Sequence, residues 1–277
     1  MSLQRMRYAE YDLLPGVRFS NLKEVRTSLL HYKSQEASEP TPSQIVGTAA
    51  HYAVFEPDLF ETECVVYEEA RNSNKWKAFR QEHANQTILK PAEREAALRM
   101  AEAVRAHPDA AEILAVGEAE QALTWTDPDT GIGRKARLDW VTPPAVAILS
   151  DFKSTKDISD HSFGRDAGKY CYHGQLVDYR FGLYVETGVL YAPVIIAVEN
   201  HSPWDVRVAD VAGAELTSAE MLVRDLLDRL AEAIATDSWP GQFPERSKLN
   251  LPPWELFDED RDISDLGFNL EVRGEAA

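Results

Sequence analysis

Cysteine is nearly absent: Cys64 and Cys171 are the only two in 277 residues. They stand far apart with no Cys-x-x-Cys spacing, which excludes a disulfide framework, a cysteine-rich zinc site and an iron–sulfur cluster. Two reduced, partly buried thiols are expected. Long apolar runs are missing as well, and none approaches the roughly 20 residues of a membrane span. The opening stretch MSLQRMRYAEYDLLPG lacks the apolar centre and small-residue cleavage site of a secretion signal, so a cytoplasmic location away from membranes is expected. There is no G-x-S-x-G elbow and no serine that stands out as an activated nucleophile. A serine-type hydrolase using His51 and an Asp is thereby disfavoured.

Positive charge is also scarce. Lys and Arg number 29 against 46 Asp and Glu, for a net charge of −17. Phosphate contacts need Lys and Arg, so the balance speaks against a nucleic-acid partner. Its distribution softens that objection. Residues 205–277 hold 17 acidic and 7 basic side chains, which leaves only −7 on residues 1–204. Basic residues gather in three places: Arg71, Lys75, Lys77 and Arg80; Arg134, Lys135 and Arg137; and Lys153, Lys156, Arg165 and Lys169. Some of the acid also suits a metal site, where a cation reverses the local sign.

What is present reads as a folded α/β chain, 44% hydrophobic and 27% charged, long enough for one large domain. A domain over 1–240 with an N-terminal helical elaboration is expected, followed by an acidic, Pro-containing tail over 241–277 with Trp254 and Phe257 as docking aromatics. Residues 20–33 predict one helix capped by Ser20 or Asn21. Ser43 begins a second, which stops at Pro57. Residues 63–68 read as a strand, and 74–83 and 91–106 as helices. Strands over 119–126, 132–141 and 145–152 predict a three-stranded meander, its first turn made by Asp127-Pro-Asp-Thr-Gly131. A long helix over 161–186, broken near Gly168, leads to a buried strand at 189–199. A further strand at 204–211 and a periodic helix at 217–236 follow.

Within this frame one constellation carries chemistry. Hydrolysis of a phosphodiester needs an activated water, neutralised phosphate oxygens and a stabilised leaving oxygen. A hard divalent cation held by carboxylates supplies much of this. Asp139 closes the strand RKARLDW, and Asp151 and Lys153 end the next, AVAILSDFK. Alternation puts Asp151 and Lys153 on one face. Two carboxylates ~4 Å apart repel by about 4 kcal/mol at an effective dielectric near 20, so the cluster makes better sense with a cation. Asp-x-Lys alone is equally the pattern of a surface ion pair; here an apolar strand runs straight into it. Two features converge on it. His51 lies on the helix of Gly47-Thr48-Ala-Ala-His51, where Gly47 would permit close approach to another backbone and His51 is a candidate metal ligand. Gly168, Tyr172, Gln175 and Tyr179 recur at helical spacing, so Gln175 and Tyr179 are candidates to bind phosphate or orient Lys153.

Together these pieces resemble the PD-(D/E)xK nuclease superfamily, and more closely its phage and prophage branch typified by the C-terminal domain of exonuclease VIII (RecE). The matching pieces are GTAAH (47–51) with FEPDLFE (55–61), EQALTW (120–125) with DTG (129–131), KARLDW (135–140), DFKST (151–155) and YHGQLVDY (172–179). The resemblance implies a restriction-endonuclease-like core, a central mixed β-sheet flanked by helices. It implies that His51, Asp139, Asp151 and Glu120 hold Mg²⁺, with Mn²⁺ as a substitute, although Glu118 stands close enough to Glu120 to leave that assignment open. It gives Lys153 the role of positioning the attacking water, and Gln175 and Tyr179 a place beside substrate phosphate. The implied activity is 5′ to 3′ exonuclease action on linear double-stranded DNA ends in phage-type recombination. A ring-shaped homo-oligomer and a single-strand annealing protein are the implied partners. A structure-specific endonuclease of the same fold and an inactive DNA-binding recombination adaptor are the alternatives.

Overall fold

A computed structural model describes residues 3–36, 39–252 and Glu255. Trp254 and Phe257 lie outside the described residues. The chain divides into two compact units, Met1–Gly241 and Gln242–Ala277. Among the described residues, no helix is long and apolar enough to cross a membrane.

The first unit opens with β1 (Gln4–Arg5), α1 (Tyr8–Asp12), α2 (Phe19–Leu22), a 3₁₀ turn (Lys23–Arg26) and α3 (Leu29–Lys33). The single helix expected over 20–33 is therefore three short pieces. Its periodicity is real, but Phe19, Leu22 and Val25 are buried against one core while Ser28 takes up an extended backbone and caps α3 by accepting from His31 N–H. Next come α4 (Pro42–Phe55), α5 (Pro57–Glu63), β2 (Cys64–Val66), α6 (Asn74–Glu82), β3 (Thr87–Leu89), α7 (Pro91–Ala106) and α8 (Pro108–Leu114). α4 starts on a reciprocal cap: Thr41 Oγ1 accepts from Gln44 N–H and Gln44 Oε1 accepts from Thr41 N–H, with Pro42 in the first turn. β3 and α8 are too short to show a period, and neither was legible in the sequence.

The central layer follows: β4 (Glu118–Thr126), β5 (Gly133–Val141), β6 (Ile148–Thr155), α9 (Asp160–Tyr170), α10 (Tyr172–Thr187), β7 (Ala192–Glu199), β8 (Val206–Asp210) and α11 (Gly213–Thr236). The expected meander β4–β5–β6 is present. Asp127 Oδ1 accepts from the Thr130 N–H and hydroxyl, and Gly131 takes the left-handed backbone its turn requires. The helix expected over 161–186 does break, but at Cys171 rather than Gly168. Cys171 stands at φ 62° and Gly168 lies inside α9.

The six-stranded sheet has the order β1-β4-β5-β6-β7-β8. All neighbours are antiparallel except β6 and β7, whose parallel pairing requires a crossover, supplied by α9 and α10. One apolar core joins the sheet to α10 and α11 through Leu138, Leu149, Leu176, Leu183, Leu226 and Leu230. A second joins its other face to α4 and α7 through Ala49, Ala53, Ala97, Met100, Phe152 and Ile196. This is the mixed sheet flanked by helices that the family resemblance implied.

Candidate active site

The site begins where the sheet fails. β6 pairs with β7 along its whole length, but with β5 only at Trp140↔Ser150 and Val141↔Leu149. The next pair would be Asp139 and Asp151, and there the strands part. Asp151 and Lys153 therefore sit in mid-strand, not at the strand end expected from sequence. The Phe152 N–H, left without a β5 carbonyl, donates to Asp139 Oδ2 at 2.9 Å.

The same level breaks the alternation of the sheet. On β4, Leu123 and Trp125 face the α10 core while Ala119, two steps further in the same phase, faces the α4 core. On β5, Ala136 and Leu138 face the first core and Trp140 packs on the second. Between them Glu120 has φ 57°, a left-handed backbone that costs a residue with a Cβ about 1–3 kcal/mol. Its register neighbours, Ala119↔Trp140 and Gln121↔Leu138, put Glu120 opposite Asp139. The inversion thus turns two carboxylates into the gap between β5 and β6.

α4 brings His51 onto them. Its Nδ1 lies 2.9 Å from Glu120 Oε1 and its Nε2 3.1 Å from Asp139 Oδ1. Burial alone would lower the imidazole pKa, but Asp139 and Glu120 outweigh it and raise it to about 10. The two carboxylates thus favour the charged form of His51 between them, and the Phe55 ring lies 4.8 Å away. Arg137 Nε lies 2.8 Å from the other Glu120 oxygen. Asp151 forms an ion pair with Lys153. Burial, with Asp139 adding to it, holds Asp151 above the usual carboxylate range despite Lys153. Burial also opposes the charge on Asp139, yet His51 and Lys153 hold its pKa low. The Lys153 ammonium, which burial would discharge, stays charged through Asp151 and Asp139. Glu120 and Asp151 form the floor, at 1% and 3% side-chain exposure, while His51, Asp139 and Lys153 open to solvent at 19%, 15% and 17%.

Five of the seven sequence candidates therefore meet: His51, Glu120, Asp139, Asp151 and Lys153. Glu118 is exposed, so the geometry selects Glu120. Gln175 and Tyr179 are on α10, where Gln175 Nε2 donates to the Tyr179 hydroxyl at 3.1 Å, and no hydrogen bond joins either to Lys153 among the described contacts. Gly168 does not belong to their stripe, being on α9. The expected close approach at Gly47 is to a side chain instead of a backbone: a Cβ there would stand 3.2 Å from Ser154 Oγ.

Two members escaped the sequence reading. Arg137 was counted with a basic patch, although its i, i+2 relation to Asp139 was a usable signal. Tyr172 stood in the stripe of Gln175 and Tyr179 without a role of its own, but its ring centroid lies 4.9 Å from Lys153 Nζ. The patch Arg134, Lys135 and Arg137 is no phosphate surface. Arg134 is paired with Asp178, and Lys135 Nζ donates to the Asp12 and Leu14 carbonyls at 2.9 and 2.6 Å.

The donors suit a hard divalent cation by their chemistry: three carboxylates and an imidazole. Both oxygens of Glu120 and Oδ2 of Asp151 are buried with ion-pair contacts but no aligned hydrogen bond. They are not preassembled into a shell; among the described residues, no three His, Cys, Asp or Glu side chains converge as a ready metal site.

A helix-flanked mixed sheet carrying Asp, then Asp-x-Lys, on adjacent strands defines a PD-(D/E)xK-like, nuclease-type fold. The chain belongs to the family described as PDDEXK-like domain of unknown function (DUF3799), whose model matches residues 19–247. The crystal structure of a candidate exonuclease from Eubacterium rectale is similar at 15% identity and a TM-score of 0.63, covering 98% of this chain and 100% of that one. At that identity the likeness establishes a shared fold. A phage-related exonuclease from Haemophilus somnus 129PT aligns over 83% of this chain and 100% of its own at 15% identity, with a TM-score of 0.35 that carries no argument. Comparison with curated proteins gives no match.

Proposed function

We propose that this protein is a metal-dependent nuclease that hydrolyses phosphodiester bonds of linear double-stranded DNA from its ends, 5′ to 3′, in phage-type recombination. The observation that carries this reading is the meeting of His51, Glu120, Asp139, Asp151 and Lys153 where β5 and β6 part. Asp139, Asp151, Glu120 and His51 would hold Mg²⁺, or Mn²⁺ in its stead, His51 through a ring nitrogen that gives up its proton as the cation takes over the neighbouring carboxylates. Such an ion, when bound, polarises the phosphoryl oxygen and makes a water nucleophilic near neutral pH. Lys153, kept charged by Asp151 and Asp139, orients the attacking water and offsets charge gathering on the phosphate. Arg137 fixes Glu120 from its far side. Gln175 and Tyr179 hydrogen-bond substrate phosphate from α10. A ring of protomers enclosing the duplex, and an annealing protein that receives the exposed strand, complete the proposal.

The test is digestion of end-labelled linear duplex beside the same DNA as a closed circle, in Mg²⁺ and in EDTA. The expected result is Mg²⁺-dependent release from the 5′ end of the linear form only, lost in folded Asp139→Ala and Lys153→Ala. Full activity in either variant removes the assignment, and cutting of closed circles favours an endonuclease. One observation favours the inactive-adaptor alternative: both His51 nitrogens already face carboxylates. Thermal unfolding with and without Mn²⁺ separates the two. A stabilisation that Asp139→Ala loses supports the metal site, and none in the wild type supports the adaptor.

A further inference from the structure

Tyr170 ends α9, Tyr172 begins α10, and Cys171 between them is left-handed, at φ 62° and ψ 42°. In a continuous helix residues two apart point about 200° from one another and do not meet. Here the break stacks them, with ring centroids 5.7 Å apart and planes 21° from parallel. A left-handed cysteine is strained and persists only where its surroundings fix it. Cys171 is fully buried, and Gly174 makes room for it, since a Cβ there would stand 2.7 Å from Cys171 Sγ. Arg26 Nη1 ties the end of α9 by donating to the Gly168 carbonyl at 3.0 Å.

The stack runs outward from the reaction centre. Tyr172 lies against Lys153 Nζ, Tyr170 against Tyr172, and Lys169 Nζ stands 5.0 Å from the Tyr170 ring centroid. Tyr170 remains 43% exposed, so the inner end of the column is occupied by Lys153, while the outer ring is shared between solvent and the long Lys169 side chain. Among the described residues, neither apolar core includes that exposed ring. An aromatic face flanked by ammonium groups is the chemistry of a single-stranded nucleotide platform, in which the ring takes the base and the cations take its phosphates.

Resting on the nuclease reading above, we infer that the Tyr170 ring, backed by Tyr172, receives the nucleobase of an unpaired nucleotide at a DNA strand end, and that a phosphate further along the same strand lies beside Lys153. A base within a duplex is stacked on both faces and cannot use such a platform. A frayed or overhanging terminal base can, and it gives up the least stacking to do so. The preferred substrate is therefore a DNA end with one or more unpaired nucleotides, bound better than a blunt end.

The experiment uses the full chain and duplexes ending in an unpaired 2-aminopurine, an unpaired abasic residue or a blunt pair, with binding measured in EDTA so that no cleavage is needed. The 2-aminopurine fluorescence is expected to be quenched by wild-type protein and by Tyr170→Phe, but not by Tyr170→Ala. Replacing the terminal base by an abasic residue should weaken wild-type binding by about 5- to 150-fold, the range for loss of one base–aromatic stack. Tyr170→Ala should bind both ends alike, while Lys169→Gln should weaken both by the same factor. An abasic penalty equal in wild type and Tyr170→Ala overturns the platform, as does Tyr170→Phe failing as badly as Tyr170→Ala. Quenching on Tyr170 without digestion in Mg²⁺ upholds the platform and removes the nuclease reading. Digestion without quenching upholds the nuclease and removes the platform.

Discussion

Two clusters of buried charge lie on β5, one near each end, and they are built differently. Near the start, Arg134 meets Asp178 through two nitrogens, one of them 3.3 Å from Oδ1, with both side chains at most 2% exposed and the Trp125 ring 5.8 Å away. Near the end, Asp139 belongs to a group that stays partly open, whose members share partners and leave carboxylate oxygens without aligned hydrogen bonds. A closed bidentate pair has little left to offer a ligand. An open cluster of like charges, steadied by a histidine, a lysine, an arginine and the Phe152 N–H, can exchange some of those partners for something else. The contrast teaches that burial of charge does not mark a reaction centre, nor does one unpaired polar atom, since Arg134 Nη1 is also buried without a partner; several like charges gathered in one group that stays partly open to solvent do.

The comparison can be broken in several ways. Asp139→Ala should lower nuclease activity by about 10²- to 10⁴-fold, as loss of a catalytic group does, yet change stability by only about 1 kcal/mol in urea unfolding. If stability fell severely instead, the open cluster would be structural after all. Arg134→Ala leaves Asp178 buried and unpaired, and should destabilise the fold by about 3–5 kcal/mol with no loss of activity per folded molecule. Gly182→Ala sharpens the closed side. Its Cβ would stand 2.7 Å from the Trp125 ring that backs Arg134, and overpacking should cost about 1–3 kcal/mol by the same measurement.

The smallest effect concerns the turn beyond that end of β5. Arg224 donates to both Asp127 oxygens, at 3.1 and 3.2 Å. Burial opposes the Asp127 charge, but Thr130 and Arg224 hold its pKa below the usual value. A depressed carboxylate pKa stabilises above the unfolded value and loses that contribution as pH falls through the folded one. Arg224→Met should therefore cost about 1 kcal/mol at pH 7, and the gap from wild type should close below about pH 4. A gap that stays constant to pH 2 would mean that the ion pair is not its source.

Much of the site was legible because its residues are close in sequence or on repeating faces. Asp151 and Lys153 follow from strand alternation, and Asp139 from the meander. His51 was visible only as a helical stripe beside a glycine. Glu120 could not be separated from Glu118 because regular alternation gives both one face, and the left-handed backbone that distinguishes Glu120 leaves no mark in a residue with a Cβ. Tyr172 and Tyr170 were obscured for the same reason. Helical spacing sets them apart, and the break that unites them falls on a cysteine where a glycine would have announced it.

By itself the sequence determined the order of the longer elements, an α/β chain with a three-stranded meander, and the identity of the acids and the lysine. These follow from local periodicity, turn chemistry and residue type, which act over a few neighbouring residues. Tertiary structure alone decided that β5 and β6 part at Asp139 and Asp151, that His51 is held between Glu120 and Asp139, and that Arg134 and Lys135 are structural. Those outcomes depend on which strand pairs with which, how far, and what packs across the gap. Such contacts join residues from some ten to more than a hundred positions apart, and no local pattern encodes them.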